Sequence, residues 1–348
     1  MMNSNPKISV IMSVYNEEKY IRESLGSLQN QTESNFEVII IDDCSTDSTR
    51  DIIGEIIKAD NRFKLYENTE NRGLTKNLNY ALTLTKGTYI ARMDGDDLSE
   101  PKRFETQLRY LETHPQVKLV SCNTKTFGAI NLVSDINGNP ANVKCSMLLR
   151  PQLAHPGFMM RAELVRDLGF TYDEHFRSAQ DYDFAWRVSR KYDIAVTPEY
   201  LLRYRTHSAQ VSSVSGGKQL AFADEIRQRG LAELGIELGS GITDEQYASY
   251  RLWAQEADAK YSDFVFCKNL IGIIIQKNGD VHIYDTATLE KTLWLEFFRW
   301  VFRSNGKKYA LKLCGADAKS GVDIKLLGTM CGTWCNLAIS KVRRKFMA

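Results

Sequence analysis

The sequence lacks the features that would cross-link its fold covalently or through zinc. Its seven cysteines form no CxxC pair and no zinc-like spacing, and their number is odd. This pattern argues against a disulfide framework and predicts reduced thiols in a cytoplasmic protein. No run of about 18 uninterrupted apolar residues occurs, so we expect no membrane-spanning helix. The first residues lack a basic flank followed by an apolar run, so we expect no signal peptide.

Two common nucleotide-binding motifs are also missing. No GxGxxG motif follows the first predicted strand, and no GxxxxGK[ST] motif occurs in the chain. Their absence argues against a Rossmann dinucleotide site and excludes a P-loop. The formal net charge of +2 gives no reason to propose a nucleic-acid partner. If this chain binds a nucleotide, carboxylates and a metal ion must hold it.

The length of 348 residues predicts two modules with an appendage, because a single core rarely grows to that size. We divide the chain into regions 1–125, 126–215 and 216–348. An Asn- and Gly-rich stretch at 128–142 predicts an exposed loop between the first two regions. Ser212 to Lys218 reads as a small polar linker before the third region.

The first 125 residues alternate short β-rich runs with helical patterns, which is typical of a mainly parallel sheet covered by helices. Ile8 to Val14 and Phe36 to Ile41 read as buried strands, each followed by apolar residues at helical spacing. The second region continues the alternation, with predicted strands near 158–160, 194–196 and 201–204 and predicted helices at 161–168 and 179–190. The pattern predicts an α/β fold with a mainly helical region after residue 216.

Polar residues follow several of the predicted strands. Because the carboxyl ends of parallel strands meet at one edge of a sheet, we expect these side chains to converge on a ligand there. Carboxylates can accept from a uracil imide, a tyrosine ring can stack on a base, and basic side chains can neutralise phosphate. For Asp42 and Asp43 a helix-capping loop is the open alternative. The candidate nucleotide-binding residues are Ser13, Tyr15, Asn16, Glu17, Asp42, Asp43, Arg72, Lys76, Met93 and Asp94.

The tetrad from Asp94 to Asp97 is the most informative of these strand ends. It directly follows the strand-like run from Tyr89 to Met93. Two carboxylates at the end of a strand can bind a divalent cation, and Gly95 lets the backbone turn and a ligand approach. The alternative is an acidic surface turn, which Asp and Gly form for backbone reasons alone.

Four segments together resemble glycosyltransferase family 2, the large inverting GT-A group. These segments are Ile8 to Glu18, Ile39 to Asp47, Asn71 to Leu74 and Gly87 to Asp97. The resemblance extends over roughly the first 210 residues, and several ordered motifs support it. It implies a GT-A fold in which region 1–125 binds the nucleotide-sugar and region 126–215 binds the acceptor and carries catalysis.

The resemblance also implies a reaction and its cofactor. The expected donor is a nucleotide-diphospho-sugar, with UDP as the expected nucleotide, and the expected acceptor is a hydroxyl of a glycan or lipid-linked molecule. Residues matching Tyr15, Glu17, Asp42 and Asp43 hold the uracil and ribose in that family. Those matching Asp94 and Asp96 hold Mg²⁺ or Mn²⁺ and the diphosphate.

Asp181 is the predicted catalytic base. Family members often carry a Glu-Asp pair at the start of a helix, and Gln180 and Asp181 occupy that place here. The change to Gln180 leaves a neutral neighbour where relatives carry a charge. Asp183 is the reserve candidate. The alternative for Asp181 is a capping pair with Ser178 at the helix N-terminus.

Two histidines lie near family positions of interest. In the order Tyr204, Arg205, Thr206, His207, the histidine resembles one that some relatives use as a metal ligand or diphosphate contact. A hydrogen-bonded loop histidine is the alternative for His207. His155 falls near a position that lines the acceptor pocket, and we interpret it as a turn residue.

The C-terminal region has an apolar helical face and a basic end. From Arg299 to Ala348 there are 11 basic and 2 acidic residues. This charge and the closing segment Lys341 to Phe346 predict peripheral contact with the inner face of the plasma membrane. Packing of the helix on the catalytic module is the alternative. The apolar face comprises Leu289, Leu293, Trp294, Phe297, Phe298, Val301 and Phe302.

Two rival functions remain open at this level. A nucleotidyltransferase also uses an α/β sheet and metal-binding carboxylates, but this sequence lacks an early Gly-rich basic loop to grip a triphosphate. A non-catalytic sugar-nucleotide-binding protein is conceivable because of Gln180. The favoured prediction is an inverting, metal-dependent glycosyltransferase that uses Asp181 as its base.

Overall fold

A computed structural model describes residues 5–136, 138–207 and 216–313. The chain forms two compact units. Residues 1–140 and 153–222 form the first unit, and residues 141–152 and 223–348 form the second. The short segment 141–152, which the sequence analysis placed in region 126–215, therefore groups with the C-terminal helices.

The described part of the first unit contains one eight-stranded mixed sheet. Its order is β3-β2-β1-β4-β7-β6-β8-β5. Strands β3, β2, β1 and β4 are parallel to one another, whereas β7 runs antiparallel to both β4 and β6. The predicted α/β class is confirmed. The strands are β1 Ile8–Val14, β2 Phe36–Asp42, β3 Phe63–Glu67, β4 Tyr89–Arg92, β5 Leu98–Ser99, β6 Val117–Gly128, β7 Met159–Arg161 and β8 Asp193–Thr206.

Helices connect these strands and follow the sheet in the chain. Those before residue 192 are α1 Ile21–Gln29, α2 Thr49–Ala59, α3 Leu74–Leu84, α4 Arg103–Thr113, α5 Pro140–Ser146, α6 Glu163–Arg166 and α7 Gln180–Lys191, with a 3-10 helix at His155–Gly157. Those after it are α8 Gly216–Ala232, α9 Asp244–Ala254, α10 Tyr261–Val281, α11 Thr286–Arg303 and α12 Ala310–Leu313, with a 3-10 helix at Asn305–Tyr309. Amphipathic spacing explains the packing of α1, whose Ile21, Leu25 and Leu28 are fully buried.

Three local predictions need correction. The two strands predicted near 194–196 and 201–204 form the single long strand β8. The helix predicted at 161–168 is reduced to the four residues of α6, because β7 extends to Arg161. The predicted linker at 212–218 is wrong from residue 216 onward, where α8 begins, and its earlier part lies outside the described residues.

A buried glutamate connects four strands at the opposite edge of the sheet from the predicted site. Glu37 on β2 accepts hydrogen bonds from Ser9 Oγ at 2.7 Å and from Lys64 Nζ at 2.7 Å. It also accepts one from the backbone N–H of Lys86 at 3.1 Å, just before β4. Burial raises the pKa of Glu37, but the bonds from Lys64 and Ser9 outweigh it, so the pKa lies below its usual value. This network helps to fix the register of β1 to β4.

The second unit is a helical assembly with its own core. Leu289, Leu293, Phe297, Phe298 and Val301 on α11 are all fully buried in that core. The apolar face considered for membrane contact therefore packs in the core of the helical unit itself, whereas the alternative had placed it against the catalytic module. Within the described residues, no helix is both long and apolar enough to cross a bilayer. The basic residues 341–346 lie outside the described residues, so their contact with a membrane stays a prediction.

We expect Glu37→Gln to lower the free energy of unfolding at pH 7 by about 1–3 kcal/mol, because it removes the charge that Lys64 neutralises. Since the pKa of Glu37 is lower in the folded state, its contribution is present above about pH 4.3 and is lost as the pH falls through the folded pKa. Urea unfolding from pH 7 to pH 3 measures both effects. Glu70→Gln, which replaces an exposed glutamate, is the control. The prediction is contradicted if the difference in free energy of unfolding between wild type and Glu37→Gln does not become smaller in acid.

Candidate active site

A cavity of about 690 Å³ lies at the carboxyl ends of β1, β2 and β4 in the first unit. This is the edge at which open α/β sheets bind ligands. The predicted metal ligands and the predicted base therefore share one cavity. The predicted residues that line it are Ser13, Tyr15, Glu17, Asp43, Asp94, Asp96, Asp181 and His207.

Met93 does not belong to the site as predicted. Its side chain is fully buried, and its Sδ accepts a hydrogen bond from the guanidinium of Arg103 at 3.3 Å. Side chains alternate in direction along extended chain, so Met93 and Asp94 point to different sides. Met93 is a core residue directly beneath the site.

Asp42 and Asn16 hold loops and do not line the cavity. Asp42 is fully buried, and its Oδ2 accepts the backbone N–H of Ser45 at 3.0 Å. Asn16 has a φ of 56°, a left-handed conformation that asparagine tolerates better than most residues. Its Oδ1 accepts the backbone N–H of Thr46 at 2.9 Å. Asn16 thus joins the loops after β1 and β2, whereas Asp42 fixes the loop after β2.

Asp43 is held in a fixed position on the cavity wall. Its Oδ1 accepts the backbone N–H of Arg72 at 2.7 Å and Nδ2 of Asn68 at 2.9 Å, and its Oδ2 accepts the backbone N–H of Gly73 at 2.9 Å. Burial raises the pKa of Asp43, but hydrogen bonds, that of Asn77 foremost, outweigh it and lower the pKa. The carboxylate is therefore rigid and charged.

Arg72 and Lys76 are exposed and do not line the cavity, contrary to their predicted role at the phosphates. Arg72 contributes its backbone N–H to Asp43, as described above. Lys76 lies in the first turn of α3. Both residues follow β3 as predicted, but neither side chain lines the cavity.

Asp94 follows β4 and pairs with a buried arginine. Its Oδ2 accepts a hydrogen bond from the guanidinium of Arg92, whose side chain is only 3% exposed. Its carbonyl accepts Ser24 Oγ at 2.8 Å. Burial raises the pKa of Asp94 to about 6, although Arg92 opposes the shift. At Gly95 a Cβ would meet Val14 Cγ1 at 3.0 Å, so glycine permits this tight turn.

The end of β8 clamps the acidic turn from the other side. Arg205 donates its backbone N–H to Asp97 Oδ1 at 2.8 Å and its Nε–H to the carbonyl of Asp96 at 2.7 Å. His207 Nε2 lies 3.0 Å from Asp96 Oδ2. The histidine predicted at the metal site is thus in contact with one of the predicted metal ligands.

The chemistry of this group fits a divalent cation. Carboxylate oxygens of Asp94, Asp96 and Asp97 all lie within 4.8 Å of one another. Asp97 is fully buried, and its Oδ2 has no hydrogen-bond partner among the described residues. Burial, together with Asp94 and Asp96, raises the pKa of Asp97 well above its usual value. Clustered oxygen ligands of this kind suit Mg²⁺ and Mn²⁺.

Asp181 lies in the first turn of α7 and lines the same cavity. The N-cap of α7 is Ala179, which has a left-handed φ of 60° and makes no side-chain cap, so a capping pair with Ser178 does not form. Burial raises the pKa of Asp181, while the backbone N–H of Tyr182 and the charge of Arg92 oppose the shift. A raised pKa makes a carboxylate a better proton acceptor.

The neighbours of Asp181 have different environments. Gln180 is buried and lines the cavity. Asp183 is fully buried, does not line the cavity, and its Oδ2 accepts Arg187 Nε–H at 2.8 Å. Asp183 therefore has a structural partner on its own helix, and the geometry favours Asp181 over this reserve candidate.

His155 is more than the turn residue predicted from the sequence. It lines the cavity, is buried, and its Nε2 lies 2.9 Å from the hydroxyl of Tyr172. Burial lowers the pKa of His155 well below its usual value. A neutral imidazole therefore lies on the cavity wall.

Sequence reasoning missed two arginines that line the cavity, Arg92 and Arg177. Arg92 was predicted only as part of a strand. Its position two residues before Asp94 could have indicated that the two side chains pair. Arg177 lies four residues before Asp181, in a stretch without clear periodicity.

Comparison with known proteins gives one consistent family. Residues 9–169 match the family model described as glycosyl transferase family 2. An uncharacterized glycosyltransferase of Haemophilus influenzae is 35% identical over 252 residues, which cover 68% of this chain and 78% of that protein. The putative glycosyltransferase EpsE of Bacillus subtilis is 37% identical over 185 residues, covering 52% of this chain and 66% of that protein.

Two solved structures share the fold. The first is S. aureus TarS 1–349 in complex with UDP-GlcNAc, with a TM-score of 0.54, 20% identity, and coverage of 82% of this chain and 90% of that one. The second is the mannosyltransferase PcManGT of Pyrobaculum calidifontis in complex with GDP-Man and Mn²⁺, with a TM-score of 0.50, 19% identity, and coverage of 99% and 84%. The family resemblance seen in the sequence is confirmed: the chain belongs to glycosyltransferase family 2 and is a sugar-transferring enzyme.

Proposed function

We propose that this enzyme moves a sugar from a nucleotide-diphospho-sugar to a hydroxyl of a glycan or lipid-linked acceptor, with inversion at the anomeric carbon. One observation carries the proposal. The acidic turn of Asp94 and Asp96, the fixed carboxylate of Asp43 and the carboxylate of Asp181 line a single cavity. These are the groups needed for the phosphates, the nucleotide and the acceptor hydroxyl respectively.

The nucleotide is expected at the end of the cavity formed after β1 and β2. Asp43 is charged and rigid, so it can accept a hydrogen bond from the imide N–H of uracil. Tyr15 lines the cavity and is 48% exposed, so its ring is available to stack on a base. We therefore favour UDP. The fold neighbours solved in complex with UDP-GlcNAc and GDP-Man support a nucleotide-diphospho-sugar as the donor.

Asp94, Asp96 and His207 are the residues that would hold a divalent cation, with Asp97 buried beside them. When bound, Mg²⁺ or Mn²⁺ would neutralise the charge that develops on the departing nucleoside diphosphate. The cation site is preorganised. Arg92 orients the carboxylate of Asp94, and Arg205 orients the carboxylate of Asp97 and the carbonyl of Asp96. The Mn²⁺ named with PcManGT supports this assignment.

Asp181 is the proposed general base. Its carboxylate lines the cavity and has a raised pKa, so it can take the proton of the incoming hydroxyl as the new bond forms. A single displacement needs no covalent intermediate and inverts the anomeric configuration. Gln180 adds a neutral amide beside the base, which can hydrogen-bond to a sugar hydroxyl without changing the charge of the site.

Donor binding can be tested without knowing the acceptor. UDP-sugars and GDP-sugars, each with Mn²⁺, are expected to raise the melting temperature of the protein when they match the site, since a ligand of the folded state stabilises it. The same panel without metal is expected to stabilise less. During turnover the released product should be a nucleoside diphosphate. Release of pyrophosphate would instead indicate a nucleotidyltransferase.

Asp96→Asn is expected to weaken Mn²⁺ binding at least tenfold, because it removes a charged oxygen ligand. Electron paramagnetic resonance of free Mn²⁺ in a titration measures this affinity directly, without any sugar donor. Asp167→Asn, an exposed carboxylate outside the cavity, is the matched control. Equal Mn²⁺ affinity in Asp96→Asn and wild type would remove Asp96 from the metal site.

Asp181→Asn is expected to lower kcat by about 10²–10⁴ while leaving nucleotide affinity within about twofold of wild type, since the amide cannot accept the proton. Initial rates and calorimetric titration separate the two quantities. Asp193→Asn, at the exposed start of β8, is the control for loss of one carboxylate. A variant at Asp181 that retains more than about a tenth of the rate contradicts the role of Asp181 as the base.

A further inference from the structure

Arg177 is an exposed arginine on the wall of the active-site cavity. Within the described part of the chain, its guanidinium forms no hydrogen bond or ion pair. The other arginine that lines the cavity, Arg92, is buried and paired with Asp94. The charge of Arg177 is therefore available to a ligand.

The position of Arg177 is set by the residues before it. The carbonyl of Phe176 accepts Thr75 Oγ1 at 3.0 Å, in the first turn of α3. The backbone of Tyr172 exchanges two hydrogen bonds of 2.9 Å with the side chain of Asn79, further along α3. The segment 172–176 is thus fixed along α3, and Arg177 is the next residue.

This attachment links Arg177 to both ends of the cavity through neighbouring residues. On one side, α3 begins directly after Gly73, whose N–H binds Asp43 at the proposed nucleotide end. On the other side, Asp181, the proposed base, lies only four residues further along the chain. The part of a nucleotide-sugar that lies between the nucleoside and the anomeric carbon is the diphosphate.

The negative charge of the cavity lining explains why a cationic side chain is needed where the diphosphate binds. The lining includes five acidic side chains: Glu17, Asp43, Asp94, Asp96 and Asp181. Burial raises the pKa of Glu17 to about 8, so the negative charge near neutral pH comes mainly from the four aspartates. A diphosphate entering such a site is repelled unless positive charge faces it. A guanidinium suits this purpose, because its planar donors can bind two phosphate oxygens at once. Arg72 and Lys76, to which the sequence analysis gave this role, do not line the cavity.

We propose that Arg177 binds the sugar-bearing phosphate of the donor diphosphate and acts there beside the divalent cation. This inference rests on the proposed function and deepens it. Arg177 contacts the leaving group as well as the intact donor, so it contributes both to donor binding and to the holding of the nucleoside diphosphate during transfer.

Nucleotide affinity tests this directly. Calorimetric titration with Mn²⁺ compares UDP with UMP, and GDP with GMP, on wild type and variants. Arg177→Gln is expected to weaken binding of the diphosphate by about tenfold to a hundredfold, as for loss of a charged hydrogen bond, and to change binding of the monophosphate by less than about threefold. Arg177→Lys should cause an intermediate loss of diphosphate affinity, because lysine keeps the positive charge but lacks the planar donors that can bind two phosphate oxygens at once.

Two matched variants complete the design. Arg109→Gln removes an exposed arginine on α4 that does not line the cavity, and it should leave both affinities unchanged. Arg72→Gln tests the role first predicted from the sequence and should weaken diphosphate binding less than Arg177→Gln, because the Arg72 side chain does not line the cavity. Because Arg177 is exposed, its variants should fold, and equal melting temperatures without ligand verify this.

Several results would overturn the inference. Arg177→Gln could bind the diphosphate as tightly as wild type, or it could lose diphosphate and monophosphate affinity equally. The loss could appear in Arg72→Gln instead, or Arg177→Gln could change only the KM for the acceptor. A wild-type protein that binds neither UDP nor GDP would contradict the proposed function itself, which distinguishes the two failures.

Discussion

The ion pair between the buried Arg92 and the partly exposed Asp94 is the interaction on which the active site depends. Arg92 keeps its charge despite burial, because Asp94 raises its pKa against the effect of desolvation. Arg103 lies beneath it and donates to the carbonyl of Arg92 at 2.7 Å, and burial lowers the pKa of Arg103 to about 10. Without this positive charge, the carboxylates that follow β4 would repel one another.

Sheet topology brings the second half of the site to this turn. Strand β5 pairs with β8, so residues about a hundred positions apart in the chain become neighbours. Arg205 then reaches three groups: the backbone of Asp96, the carboxylate of Asp97 and the carboxylate of Glu23 at 2.7 Å. His207 follows two residues later and meets Asp96. The acidic turn is thus held between a buried arginine below and a strand end beside it.

The sequence predicted site residues correctly where their position depends only on the strand or helix that they adjoin. Asp94, Asp96 and Asp181 follow a strand or open a helix, so their place at the sheet edge was predictable. The prediction from sequence failed where the direction of a side chain decides whether it reaches the cavity. Met93 is adjacent to Asp94 yet points into the core, and Arg72 offers only its backbone to Asp43. Arg177 depends on contacts with α3 about a hundred residues away, which no local pattern encodes. Periodicity identified the apolar face of α11 but could not reveal what covers it.

Residues 141–152 belong to the helical unit although they lie within the sequence of the first unit, and this has a consequence for gene truncation and domain exchange. Leu148 and Leu149 are buried among the C-terminal helices, where Tyr250 and Arg227 also bind their carbonyls. A gene truncated before codon 223 would therefore leave these leucines uncovered on the remaining polypeptide. Exchange of the helical unit between homologous genes needs three crossover points, two flanking residues 141–152 and one before residue 223, to keep the matching partners together.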